Sequence, residues 1–170
     1  MRSKLLTASV IALTFGLSLN TVYASAAYIP ADLEKFEKTH SCVGCDLSEV
    51  KLTWGDYSSA DFTNALLVKA TLCADFYTTN FTGARLMYSH IHIQASGSNF
   101  SGADLTGASL INSNFTSSNF KGAKLTGADL TDTNLASTNL TPEQLASAES
   151  LSCAILPDGS QHAPDSGRAC

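Results

Sequence analysis

The chain is 170 residues long, 44% hydrophobic and 15% charged, with 15 acidic residues against 10 lysines and arginines and a formal net charge of −5. That length is one domain's worth. The acidic excess argues against nucleic-acid binding through a basic patch and against adhesion to an anionic membrane surface.

The N-terminus carries Arg2 and Lys4, an apolar stretch from Leu5 to Leu19, and the small-residue site Ala24-Ser25-Ala26. This layout predicts a secretory signal peptide over residues 1–26, cleaved after Ala26. A membrane anchor is the competing reading, but a spanning helix wants roughly 20 apolar residues, and Asn20 interrupts this run. Cleavage removes Arg2 and Lys4 and takes the formal charge from −5 to −7. All five cysteines, Cys42, Cys45, Cys73, Cys153 and Cys170, stay with the exported part, where oxidation is permitted. Five is odd, so at least one thiol is unpaired or pairs between chains.

Ala31 to Lys38 reads as a short helix, with Pro30 ahead of it and acids in its first turn. Leu33 and Phe36 share one of its faces, so residues 27–44 read as an end cap that blunts an exposed strand edge. A partner-binding amphipathic helix is the functional alternative. Cys42-Val43-Gly44-Cys45 then leads into the next region, and its spacing allows a structural disulfide or inert thiols, a redox pair, or half a zinc site. Zinc would need a second such pair, and thioredoxin-like chemistry a βαβ context; neither is present in the sequence.

From Phe100 to Leu140 a leucine or phenylalanine returns every fifth residue, and two residues before each stands something small, from Ser98, Ala103 and Ala108 on to Thr138. A period of five fits neither an α-helix nor a simple strand, so it marks an internal repeat. One such unit cannot bury anything alone, but stacked units can, with the large residue pointing inward and the small one letting the corner close. Upstream the inward position runs from Leu47 through Leu52, Tyr57, Phe62, Leu67 and Leu72, slips by one to Phe76, Phe81, Leu86 and Ile91, and slips again before Phe100.

Grouping four units per coil places Leu47, Leu67, Leu86, Leu105 and Leu125 in one column, and Phe62, Phe81, Phe100 and Phe120 in another. Phenylalanine falls repeatedly in one column without being put there, which supports four sides. The third column, with Tyr57, Phe76, Phe115 and Leu135, has a gap at His92 to Gly97, where a bulge or loop is expected. Gly83, Gly102, Gly107, Gly122, Gly127 and Asn64 all lie two residues after an inward residue, at corners that ask for positive φ. No strand-loop-helix context follows them, so they do not read as a phosphate-binding loop.

Ser101-Gly-Ala-Asp-Leu-Thr-Gly-Ala108 and Lys121-Gly-Ala-Lys-Leu-Thr-Gly-Ala128 resemble the pentapeptide-repeat family, whose motif is alanine, then aspartate or asparagine, then leucine and two further residues. The resemblance covers Cys45 to about Leu140. It implies an all-β solenoid over residues 45–140, a right-handed quadrilateral β-helix with four units per coil. About five coils at the usual strand spacing of roughly 4.8 Å would make a rod on the order of 24 Å long. Thr141, Pro142 and Gln144 then signal a helix start, so residues 141–170 read as a C-terminal capping helix and a tail. The tail looks like those of exported cyanobacterial pentapeptide-repeat proteins, and that resemblance implies a Cys153–Cys170 disulfide.

A filled rod offers no concave pocket for catalysis, and no serine sits in a nucleophile motif. Asp61, Asp75, Asp104 and Asp129 are spaced as outward residues on a solvated surface. One cluster stands out: in the column arrangement Cys73 and His92 are neighbours one strand spacing apart, with His90 beside them. Such a group could ligate a soft metal or lower a thiol pKa; a free surface cysteine beside two solvated histidines is the simpler account.

The expected function is therefore a non-enzymatic, exported, monomeric rod that presents flat faces to an unidentified protein partner. No cofactor, nucleic acid or membrane span is expected in the mature chain, and its compartment would be the periplasm or, in a cyanobacterium, the thylakoid lumen. The alternatives are a thiol, redox or metal-binding protein acting through Cys42 and Cys45 or Cys73 and His92, and a DNA-mimicking gyrase binder of the kind found in the quinolone-resistance branch.

Overall fold

The computed structural model describes residues 28–165 and 169–170. The expected signal peptide, residues 1–26, lies outside them.

The chain winds as a four-sided solenoid. Parallel bridges link residues twenty apart, nineteen where the chain is shortened, or twenty-one across α2, in four series: Asp46 through Leu66, Arg85 and Asp104 to Lys124; Ser109 to Asp129 and Ser150; Asp56 through Asp75, Gln94 and Asn114 to Asn134 and Ile155; and Ser41 through Asp61, Asn80 and Asn99 to Asn119. Only β1 (Lys51–Leu52), β2 (Thr71–Leu72) and β3 (His90–Ile91) pair over two residues, as a parallel sheet in the order β1-β2-β3. A unit this short has room for one bridging residue per side before the next corner.

The residue after each bridge points inward. Leu47, Leu67, Leu86, Leu105 and Leu125 are buried in one column. In another, Phe62, Phe81, Phe100 and Phe120 stack with ring centroids 5.0, 4.7 and 5.0 Å apart and nearly parallel planes. Phe115 meets Phe100 and Phe120 edge-on. The small residues let the corners close, and where they are serine or threonine their hydroxyls turn back onto backbone, as Ser98 does to the carbonyl of Phe76 at 2.7 Å. Among the described residues no buried side-chain nitrogen or oxygen lacks a partner.

Outside the phenylalanine column runs an asparagine ladder. Asn119 Nδ2 donates to Asn99 Oδ1 (3.1 Å) and Asn139 Nδ2 to Asn119 Oδ1 (2.7 Å), while each carbonyl oxygen accepts from the backbone two residues on.

Helix α1 (Pro30–Thr39) lies over the first coil. Phe36 is fully buried, with its ring 4.7 Å from that of Phe62, and Leu33 packs beside it. At the same rim Ile29 N–H donates to the carbonyl of Asp46 (3.0 Å), and the Asp32 carboxylate accepts from the N–H of Asp46 (2.8 Å).

At the other end α2 (Pro142–Ala146) begins with a capping box between Thr141 and Gln144. Gln144 Nε2 also donates to the carbonyls of Phe120 (2.9 Å) and Ala123 (2.8 Å). In the coil before, the N–H of Lys124 donates to the carbonyl of Ala103, so this side-chain amide stands where a further strand's amide would be.

The register does not stop at Leu140. After α2 the chain returns to it: Leu130 donates to Ser150, Asp132 to Ser152 and Leu135 to Ile155. The sulfurs of Cys153 and Cys170 lie 2.00 Å apart, at bonding distance, with Cα atoms 5.3 Å apart.

Candidate functional site: the shortened corner

A regular corner is a four-residue turn: the N–H of Ala108 donates to the carbonyl of Leu105 at 3.0 Å, and Gly107 between them has φ +64°. That is a type II pattern, which needs positive φ at its third residue. Glycine also makes room for a neighbour here, since a Cβ on Gly107 would stand 2.7 Å from the Tyr88 ring of the coil before and would push that exposed side chain aside. The corner that follows β1, β2 and β3 is different. After Leu72 and Ile91 only three residues precede the next inward residue, Phe76 or Ala95, and both the turn bond and the positive φ are lost. After Leu52 four residues remain, but no turn bond forms and Gly55 takes φ +132°.

The expected bulge or loop at His92 to Gly97 does not occur. Gln94 keeps its bridges to Asp75 and Asn114, and Ala95 occupies the inward position fully buried. The missing volume is restored by Ile93, which stands where other units carry a small residue and is 1% exposed. Large and small have exchanged places within one unit. Ser113 of the following coil completes the corner: its hydroxyl accepts from the N–H of Ile93 (3.1 Å) and donates to the carbonyl of Ile91 (3.0 Å).

Outside this corner Cys73 and His92 stand in register, both exposed, with exposed His90 two residues before His92. They line a shallow depression of about 270 Å³ together with Ile111, and a neighbouring one is lined by Trp54, Gly55, Asp75, His92 and Gln94. Among the described residues no group of three or more histidines, cysteines or acids is placed to hold a metal, so Cys73, His90 and His92 are adjacent without forming a ligand set.

Trp54, which pattern reasoning passed over, is 88% exposed. It holds the third turn position, which most regular units fill with glycine or a small polar residue but which Glu49, Lys69 and Tyr88 also occupy. The outward acids differ among themselves. Asp104 faces Lys124 at 3.2 Å; partial burial opposes its charge, but hydrogen bonds from Thr106 and the Lys124 ammonium outweigh that and hold its carboxyl below the usual range. Asp61 and Asp129 accept from the turn residues Thr63 and Thr131. Asp56, held low by hydrogen bonds from Ser58, stacks directly on Asp75.

At the N-terminal end Cys42 and Cys45 are both free and buried, the ends of one turn in which the N–H of Cys45 donates to the carbonyl of Cys42. Burial pushes the Cys42 thiol up, and adjacent Cys45 adds to the shift. A thiol held in that state is a poor nucleophile.

The family model for pentapeptide repeats matches residues 45–72 and 96–135, in eight copies. The stretch it passes over, 73–95, contains both shortened units. No curated protein matches the chain. Among solved structures the chain is similar to HetL, a pentapeptide repeat protein involved in heterocyst differentiation regulation in the cyanobacterium Nostoc, at 24% identity over 72% of this chain and 64% of HetL, with a TM-score of 0.40. It is also similar to a pentapeptide repeat protein of the Arabidopsis thaliana thylakoid lumen, at 25% identity over 63% of this chain and 73% of that one, with a TM-score of 0.34. A third, from the cyanobacterium Cyanothece, matches at 23% identity over 65% of this chain and 86% of that one, with a TM-score of 0.28. The chain thus spans just under two thirds of HetL. With its stacked five-residue units and eight matched copies of the motif, the chain belongs to the pentapeptide-repeat family.

Proposed function

We propose that the chain is an exported, non-enzymatic rod that works by presenting its outer walls to a protein partner. The observation that carries this reading is the filled interior: Leu67, Phe81, Phe100, Leu105 and Phe115 are each fully buried, which leaves the walls as the place where a partner can be met. In this reading the rod is a right-handed β-helix of about five coils, α1 and α2 act as its caps, the Cys153–Cys170 bond ties down the tail, and the molecule is a monomer. Its compartment is the periplasm or the thylakoid lumen. Among the described residues no helix is long and apolar enough to cross a membrane.

Thiol chemistry at Cys42 and Cys45 has less support, because burial raises the Cys42 thiol rather than activating it. A metal at Cys73 and His92 would rest on two side chains. A gyrase-binding role rests on acidity alone.

Crosslinking in the native compartment, followed by identification of what is captured, tests the proposal. Capture of one protein through wall positions is the expected result. Turnover of a small substrate by the purified chain, or recovery of the whole chain in the cytoplasm with residues 1–26 intact, would overturn it.

A further inference from the structure

The N-terminal rim of the solenoid is closed on one side and open on another. Over Asp46 both backbone groups are taken by α1 and the residue before it, through Ile29 and Asp32. Over β1 nothing comparable happens among the described residues. In β2 the amides of Thr71 and Cys73 reach back to the carbonyls of Val50 and Leu52, both at 2.8 Å. The equivalent amides one coil earlier, those of Lys51 and Thr53, find no acceptor among the described residues, and β1 is an edge of the sheet. An unpaired edge is a template for another strand.

Two further features lie at the end of that edge. Trp54 is 88% exposed, and its carbonyl accepts from Tyr57 Oη at 3.2 Å, so the backbone that presents the indole is held in place. Asp56 and Asp75 stack in register beside it, both exposed, and neither is in a salt bridge among the described residues, where the ion pairs are Lys38–Glu34 and Lys124–Asp104. The one cationic side chain that acts on Asp56 is His40, and its effect is smaller than that of the Ser58 hydrogen bonds. Like charges directly opposite one another repel. Asp104 and Lys124, stacked the same way on another wall, carry opposite charges. Lys51 sits at the far end of the edge, so the acidic end is the one with Trp54.

We infer that the open rim from Lys51 to Asp56 takes up an extended basic segment of a partner protein, which adds a strand to β1 and lays a lysine or arginine over Trp54 beside Asp56 and Asp75. Backbone pairing supplies the fit, the indole face attracts the cation, and the acid pair selects its sign. This inference rests on the interaction-rod reading and names the wall and the chemistry of its partner.

Trp54 is the chain's only tryptophan, so its emission reports the site directly. The full exported chain is titrated with a synthetic peptide of alternating valine and lysine, with its glutamate counterpart, and with a version carrying prolines at the pairing positions. The lysine peptide should change the emission saturably, the glutamate peptide should not, and the proline version should bind more weakly. Asp56→Asn with Asp75→Asn, a variant whose unfolding midpoint is checked first, should weaken the lysine peptide roughly tenfold. No saturable change up to millimolar lysine peptide, or an equal response to the glutamate peptide, overturns the inference. So does the same emission change on raising the protein's own concentration with no peptide, which would give the rim to a second copy. A native partner crosslinked solely through other walls also overturns it while leaving the wider reading intact.

Discussion

Between Phe100 and Leu140 every corner closes with the same turn bond, and every third turn residue takes positive φ; between Leu52 and Ala95 one corner in each coil does without both. The two regions share a core and differ at their surface. In the regular part, Asp104 faces Lys124 and the outer side chains find one another or their own turns. In the irregular part Asp56 stacks on Asp75, Trp54 stands out in solvent, and Cys73 and His92 lie exposed in register. Where the turn bond is given up, Trp54, Cys73 and His92 stand exposed on the outer face. The core therefore sets the fold, while individuality gathers where the repeat is broken.

The first way to break this contrast is to attack what the two regions share. Phe81 lies between Phe62 and Phe100, and Phe81→Ala should cost about 3–5 kcal/mol, measured by urea unfolding; a loss below about 1 kcal/mol would mean that the stack does not hold the coils together. Next comes the far end, where the tail re-enters the register and its sulfurs meet across a separation of 17 residues. Cys170→Ser leaves buried Cys153 in place and should lower stability by roughly 3 kcal/mol. An unchanged unfolding midpoint would show that Leu135, Ser150 and Ile155 keep the tail in register unaided.

The five-residue register was legible because one large and one small residue per unit encode inward and corner positions directly, and counting back from Phe100 already placed Cys73 beside His92. The slip after Leu72 was legible too, and a second one between Ile91 and Phe100, but a slip alone does not separate a bulge from a tightened corner. The exchange of Ile93 and Ala95 escaped because volume was sought at one position of the unit and the structure found it two residues earlier. The return of the tail was hidden behind α2, although Leu151 and Leu156 stand five apart with Ala154 between them. The open rim had no sequence signal, since it depends on which backbone groups α1 happens to reach.

A finer test sets two serines against each other. Ser113 replaces the turn bond at the shortened corner, so Ser113→Ala leaves the N–H of Ile93 and the carbonyl of Ile91 without that bridge and should cost about 1–3 kcal/mol. Ser118 makes the same pair of contacts at a regular corner, but there the N–H of Ser98 keeps its turn bond to Ala95 at 3.2 Å. Ser118→Ala should therefore cost less, about 0.5–1.5 kcal/mol. Equal losses in thermal unfolding would mean that the shortened corner is no more dependent on its hydroxyl than the rest.

The smallest effect belongs to the wall of the regular part. Asp104 has its carboxyl held below the ordinary range, so its contribution is present above the unfolded-state pKa and is lost as pH falls through the lower folded value. The Lys124 ammonium is largely in solvent, which limits the pair to less than about 1 kcal/mol. Asp104→Asn keeps an oxygen for Thr106 and removes the charge that Lys124 faces. At neutral pH the variant should melt slightly below the parent, and the difference should shrink as both are taken into the acid range where the parent's carboxyl is itself protonated. A difference that persisted or grew in acid would show that Asp104 acts through shape rather than charge, and the contrast between a balanced wall and the unbalanced Asp56–Asp75 stack would then lose its electrostatic basis.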